Sequence, residues 1–88
     1  MLVWLVVFIA SIANNLFMDK DYLQKFANNL KKLRKERGLT QEALESDEIS
    51  RSMISLVEIV KTDITISKVK AIAKAMNIPV KDLFDFED

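Results

Sequence analysis

The spacing of apolar side chains after Met18 limits this chain to a helical fold more than any other feature does. Between Asp21 and Arg37 the apolar residues recur at intervals of three and four, which places them on one face of a helix. They are Leu23, Phe26, Ala27, Leu30 and Leu33. The same spacing returns between Ile66 and Met76, and no alternating strand pattern appears after Met18. We therefore expect an all-α domain.

Capping residues divide this part of the chain into five short helices. Asp19 or Asp21 can cap the first helix, and Gly38 is expected to end it in a left-handed conformation. Thr40 is placed to cap a second helix, whose first turn is formed by residues 41–44. The remaining boundaries are Ser50 to about Ile59 for the third helix, Thr65 to Asn77 for the fourth, and Pro79 to Phe84 for the fifth.

The residue types present exclude several kinds of site. Cysteine and histidine are both absent, so a disulfide framework, a Cys/His zinc site and histidine acid–base catalysis are ruled out. A single glycine excludes a glycine-rich phosphate loop. The carboxylates fall on predicted surface helices and the hydroxyls have no histidine base. We therefore expect the protein not to be an enzyme, and we expect no cofactor and no metal site.

The first 17 residues differ in composition from the rest. They contain no charged side chain and are apolar at 14 of 17 positions. We therefore divide the chain into an apolar N-terminal segment, residues 1–17, and a domain, residues 18–88. The segment is shorter than the roughly 20 residues of a membrane span and lacks the basic start of a signal peptide. Three interpretations stay open: a misplaced start with Met18 as the initiator, an association segment, or a membrane segment.

Two short helices joined by a short turn, inside an all-helical domain of this size, are typical of a helix-turn-helix reader of DNA. Three stretches carry a closer resemblance, namely Leu33–Leu44, Ser50–Glu58 and Ala71–Phe84. In this order they resemble the lambda-repressor-like family of helix-turn-helix domains, also called the Cro/CI or XRE family. The resemblance extends over residues 26–84, about two thirds of the chain. It implies a compact five-helix domain with the apolar segment added at its N-terminus.

The resemblance also assigns roles in the third helix, whose residues from about 51 to 59 are implied to enter the major groove. The residues implied to read bases are Arg51, Ser52, Ser55 and Leu56. Arginine can bind guanine O6 and N7 with two hydrogen bonds, whereas Leu56 can contact a thymine methyl group. The alternative for Arg51 is a phosphate contact or a solvated surface position.

Other residues are implied to position the domain on DNA. Those that match phosphate contacts in the family are Gln41, Ser50, Lys61 and Thr62. For Gln41 the dipole of the second helix can add to this contact. Arg34 and Glu58 match a structural ion pair that ties the first helix to the third. Removing either partner alone would leave a charge partly buried, which is costly.

Charge is distributed unevenly along the domain. Residues 20–37 carry seven basic and two acidic side chains, and residues 61–81 carry five basic and one acidic. Between them, residues 38–60 carry one basic and five acidic side chains. An acidic patch in or beside the second helix repels phosphate unless it faces away. We therefore expect modest DNA affinity for each monomer and a need for a dimer.

The turn before the third helix departs from the family pattern. The segment between Leu44 and Ser50 is one residue short, the usual alanine is Glu45, and the turn has no glycine. Asp47 or another residue must therefore turn the chain at some cost. A second family glycine is replaced by Val60. We expect the second helix to end early and the third to keep its place.

Together these features favour a cytoplasmic, sequence-specific regulator of transcription, such as a repressor. It would bind double-stranded DNA as a homodimer on an inverted repeat. The alternative is a protein-interaction module or antitoxin on the same fold, with weak or no base reading and a toxin or RNA polymerase as partner. A membrane-tethered regulator depends entirely on Met1 to Phe17, and we do not expect a membrane partner. Arg51 separates the first two hypotheses, because only the regulator needs its base contact.

Overall fold

The computed structural model describes residues 2–6, 9 and 18–87. The helices after Met18 are α1 (Lys20–Glu36), the 3₁₀ helix η1 (Glu42–Leu44), α2 (Arg51–Glu58), α3 (Ile66–Met76) and α4 (Val80–Leu83). Within residues 18–87, β-type pairing is confined to a single bridge between Ser46 and Ile49. The prediction of an all-α fold with five helices after Met18 is therefore confirmed.

Side-chain caps begin three of the helices where the sequence predicts them. Asp19, not Asp21, caps α1, because its carboxylate accepts the backbone N–H of Tyr22 at 3.0 Å. The hydroxyl of Ser50 accepts the N–H of Met53 at the start of α2, at 3.1 Å. The hydroxyl of Thr65 opens α3 through a similar contact. Each cap satisfies a backbone donor that the helix itself leaves without a partner.

The core draws one or two large side chains from every helix after Met18. Those with almost no exposed surface are Phe26 and Leu30 of α1, Leu44 of η1, Ile54 of α2, Ile72 of α3 and Leu83 of α4. Burying each such side chain stabilises the fold by roughly 1.5–3 kcal/mol relative to leaving it exposed. All five helices meet in this cluster. The buried face of α2 therefore fixes the position of the helix, and its other face stays exposed.

Asn29 ties α4 to α1 through a contact that the sequence analysis did not predict. Its side-chain amide nitrogen donates to the backbone oxygens of Asp82 and Leu83, at 2.8 and 2.9 Å. Both oxygens belong to the last residues of α4, where carbonyl groups have no partner within the helix. The buried amide of Asn29 therefore caps this short helix from outside.

The second helix ends after a single turn. It consists of one 3₁₀ turn, whose N-terminal end is closed by the Thr40 hydroxyl accepting the N–H of Ala43. At Glu45 the backbone becomes extended, and a tight turn from Ser46 to Ile49 follows, closed by two backbone hydrogen bonds. As expected, the second helix ends early and α2 keeps its place.

The backbone strain of this region lies at Val60 and not in the turn. Among the described residues, positive φ angles occur only at Gly38, Val60 and Asn77. The expectation that Asp47 or another residue of the turn bears a backbone cost is therefore wrong, since no residue of that turn is left-handed. Val60 ends α2 in the left-handed conformation, with φ of 58°. Its N–H binds the oxygen of Val57. A β-branched residue is strained in this conformation, which explains why the family prefers glycine here.

The described part of the N-terminal segment is helical and exposed. Residues 2–6 and 9 have helical backbone, and the side chain of Trp4 is 80 % exposed. No helix among the described residues is both long and apolar enough to cross a membrane. The remaining positions of segment 1–17 lie outside the described residues, so its three interpretations stay predictions.

Candidate nucleic-acid interface

A buried ion pair orients α2 on α1. Arg34 donates from Nε to Glu58 Oε2 at 2.8 Å and from Nη2 to Glu58 Oε1 at 2.9 Å. Its third nitrogen, Nη1, donates to the backbone oxygen of Leu39 at 2.9 Å. The Glu58 side chain is 3 % exposed and that of Arg34 is 11 % exposed. Two parallel hydrogen bonds between planar groups fix the angle as well as the distance between the two helices.

Gln41 joins this ion pair, which the sequence analysis did not predict. Its side-chain Nε2 donates to Glu58 Oε1 at 3.0 Å. The side chain proposed for a phosphate contact is therefore already turned toward the end of α2. An amide nitrogen carries two N–H groups, so the contact with Glu58 leaves one donor for a phosphate.

The residues assigned to base reading lie together on the outer face of α2. They surround one shallow depression of about 300 Å³, lined by Arg51, Ser52, Ser55 and Leu56. The opposite face of the helix is buried through Ile54, Val57 and Glu58. Leu56 is 40 % exposed although it is apolar, and Arg51 is 58 % exposed. The exposed face thus combines hydrogen-bonding groups with one apolar contact, as readout of base edges requires.

The remaining residues assigned to phosphate binding lie at the two ends of α2. Ser50 precedes the helix, and its hydroxyl serves as the cap. Lys61 and Thr62 follow the helix, where Lys61 is exposed and the Thr62 hydroxyl donates to the backbone oxygen of Asp63. A helix of eight residues is about 12 Å long at 1.5 Å per residue. Polar groups therefore flank the depression on both sides.

Two acidic side chains lie against the first residue of α2. Glu45 Oε2 accepts the backbone N–H of Arg51 at 2.9 Å. Glu42 Oε1 lies 3.6 Å from Arg51 Nε, and both side chains are exposed. These carboxylates of the acidic segment therefore do not face away from the candidate interface. The charge of this segment is evident from the amino-acid composition, but the contact depends on the extended backbone at Glu45.

Other kinds of site are not evident in the described part of the chain. No group of three or more acidic side chains there is arranged to hold a metal ion. Another depression, of about 380 Å³, lies between the 45–48 turn and α3. The outer face of α2 is the stronger candidate site, because it brings together all four residues assigned to base reading.

A short helix, a tight turn and a second helix with one exposed face form the arrangement of a helix-turn-helix domain. Comparison with protein families supports this class. The family model described as Helix-turn-helix (HTH_3) matches residues 30–83, which is more than half of the chain. The chain belongs to this family, the lambda-repressor or XRE type of helix-turn-helix domains, which bind DNA. Neither the curated proteins nor the solved structures gave a match.

Proposed function

We propose that the protein is a sequence-specific regulator of transcription, and that α2 enters the major groove of double-stranded DNA. The observation that carries this proposal is the single depression lined by Arg51, Ser52, Ser55 and Leu56. Arg51 would bind guanine, the two hydroxyl groups would bind adjacent base edges, and Leu56 would contact a thymine methyl group. The buried pair of Arg34 and Glu58 supports this role, because it holds α2 rigidly from behind.

Phosphate contacts would position α2 in the groove. Ser50 would bind the backbone near the start of the helix. Gln41, Lys61 and Thr62 would bind it near the end, where Gln41 contacts Glu58. Such contacts carry no sequence information, but they set the register of the protein on the duplex. The exposure of Lys61 supports its assignment, and the remaining N–H of Gln41 supplies a second donor at the same end.

We further propose that the protein acts as a homodimer on an inverted repeat, in the cytoplasm. The acidic side chains beside Arg51 support this proposal, because they weaken the attraction of one domain for phosphate. A dimer makes each set of contacts twice. Its half-site centres would be about 34–36 Å apart, one turn of DNA.

The test is selection of binding sites from a pool of random duplexes with the full chain, repeated with Arg51→Ala. The expected result is a palindromic site that Arg51→Ala no longer enriches. Sedimentation of the complex with that site should give two chains for each duplex. If no sequence is enriched by the unmodified chain, the proposal is wrong.

A second candidate function is favoured by the same acidic side chains. Glu42 and Glu45 suit an antitoxin or another protein-interaction module that contacts a toxin or RNA polymerase and reads bases weakly or not at all. In that case Arg51→Ala would leave partner binding unchanged. Selection from the random pool separates the two functions, because only the regulator gives an enriched site.

A further inference from the structure

Arg51 is bound by two carboxylates of its own chain. Glu42, in η1, lies 3.6 Å from the guanidinium Nε. Glu45, directly after η1, binds the backbone N–H of the same residue at 2.9 Å. One acid thus contacts the side chain that would read DNA, and the other contacts the end of the helix that carries it.

We infer that Glu42 and Glu45 are specificity-determining residues, which keep Arg51 from binding DNA phosphates regardless of sequence. This inference rests on the proposed function. Binding to arbitrary sequences comes almost entirely from basic side chains that neutralise phosphates. Glu42 beside its guanidinium and Glu45 beside its backbone offset part of the positive charge of Arg51, so Arg51 adds less to that attraction.

The two carboxylates distinguish a phosphate from a base because of charge. A phosphate that approaches Arg51 is repelled by Glu42 and Glu45, since all three groups are anionic. The edge of a guanine is neutral and offers two acceptors in the geometry that a guanidinium matches. The guanine can therefore displace the Glu42 contact, which is long and exposed to water, without bringing a second anion close.

Glu45 adds to this effect at the backbone. The N-terminus of a helix carries partial positive charge and exposed N–H groups, which attract phosphate. The carboxylate of Glu45 already binds the first N–H of α2. It therefore reduces the attraction for an external anion at this end of the helix.

The test compares the full chain with Glu42→Gln, Glu45→Gln and the double variant. Glutamine keeps the size and an acceptor oxygen but removes the charge. Binding is measured by fluorescence anisotropy over a series of salt concentrations, on a duplex of mixed sequence and on the site from the selection experiment. Thermal unfolding checks that each variant is folded. If the substitutions at Glu45 unfold the chain, Glu42→Gln by itself is sufficient to test the inference.

The matched control for each single variant is Glu87→Gln, which changes the net charge by the same one unit. Glu87 is exposed and follows Phe86, whose ring packs on Tyr22 near the start of α1. Arg34, which anchors α2, lies twelve residues further along α1. That separation corresponds to about 18 Å along the helix axis. The control therefore changes charge far from Arg34, the anchor of α2.

The expected result is that the double variant binds the mixed duplex about tenfold more tightly at low salt, because Arg51 gains a phosphate contact. The slope of log K against log salt on this duplex should become steeper by about one unit. On the selected site the gain should be smaller, because Arg51 is already engaged there, so the ratio of specific to non-specific affinity falls. Glu87→Gln should change affinity less than twofold, within the range of about 0.4 kcal/mol.

Two results would overturn the inference, and they differ in what they say about the proposed function. If the double variant matches Glu87→Gln in affinity and slope while the unmodified chain still selects a site, only the inference fails. If the unmodified chain selects no site and none of the variants binds duplex DNA, both the inference and the proposed function fail.

Discussion

Arg34 and Glu58 join α1 to the end of α2 through two parallel hydrogen bonds, on the buried side of α2. Because Glu58 is almost fully buried, Arg34→Met would leave a carboxylate without its main partner. We expect a loss of about 3–5 kcal/mol in the free energy of unfolding, measured by urea denaturation. Arg34→Met combined with Glu58→Leu should cost less than Arg34→Met alone, since no buried charge remains. Additive losses would contradict this account.

Replacing Val60 with glycine is expected to stabilise the fold. Val60→Gly should raise the free energy of unfolding by about 1 kcal/mol, because glycine adopts the left-handed conformation without steric strain. Urea denaturation measures the change. Asn77→Gly is the matched control, since Asn77 has a similar φ of 55° but asparagine tolerates it. A gain at Asn77 as large as that at Val60 would show that strain at Val60 is not the cause.

The local features of this fold were predictable from sequence, and the contacts across the fold were not. Capping by Ser50 and Thr65 depends on residues three positions apart, so a short pattern reveals it. Asn29 binds carbonyls more than fifty residues away, and no periodicity marks such a partner. The one sequence feature that could have indicated this contact is the position of Asn29 at the edge of the apolar face of α1.

In the candidate site, too, positions within one helix were predictable from sequence, and contacts between elements were not. Helical periodicity and the family resemblance bring Arg51 and Ser55, four residues apart, to one face of α2, because a single helix determines their relative positions. The contacts of Arg51 with Glu42 and Glu45 cross a turn whose backbone the sequence did not define. The Gln41 contact with Glu58 likewise depends on how η1 packs on α2.

Asn29→Ala should destabilise the fold although it removes only an amide group. Two backbone oxygens at the end of α4 would lose their donor inside the structure. We expect a cost of about 1–3 kcal/mol. Thermal unfolding followed by circular dichroism would measure it. Asn28→Ala is the matched control, because Asn28 is exposed and its side chain accepts only from Gln24 of the same helix. An equal loss at both positions would contradict the proposed tie between α1 and α4.

Arg51 and Lys61 should respond differently to substitution if one reads a base and the other binds phosphate. Arg51→Lys keeps the charge but loses the bidentate contact with guanine, so binding to the selected site should weaken by about 1–3 kcal/mol. Lys61→Ala should weaken binding to every duplex alike and reduce the salt slope by about one unit. Anisotropy titrations on selected and mixed duplexes measure both effects. Equal weakening of both duplexes by Arg51→Lys would argue against base reading.

A chain that begins at Met18 should unfold at the same temperature as the full chain. Every residue of the core cluster lies between Phe26 and Leu83, and the described side chains of residues 2–6 and 9 are exposed. Thermal unfolding of the two chains tests this expectation. The matched control removes residues 84–88 instead. It should lower the unfolding temperature, because the rings of Phe84 and Phe86 pack on Phe26 and Tyr22. Loss of cooperative unfolding in the chain that begins at Met18 would show that residues 1–17 contribute to the core.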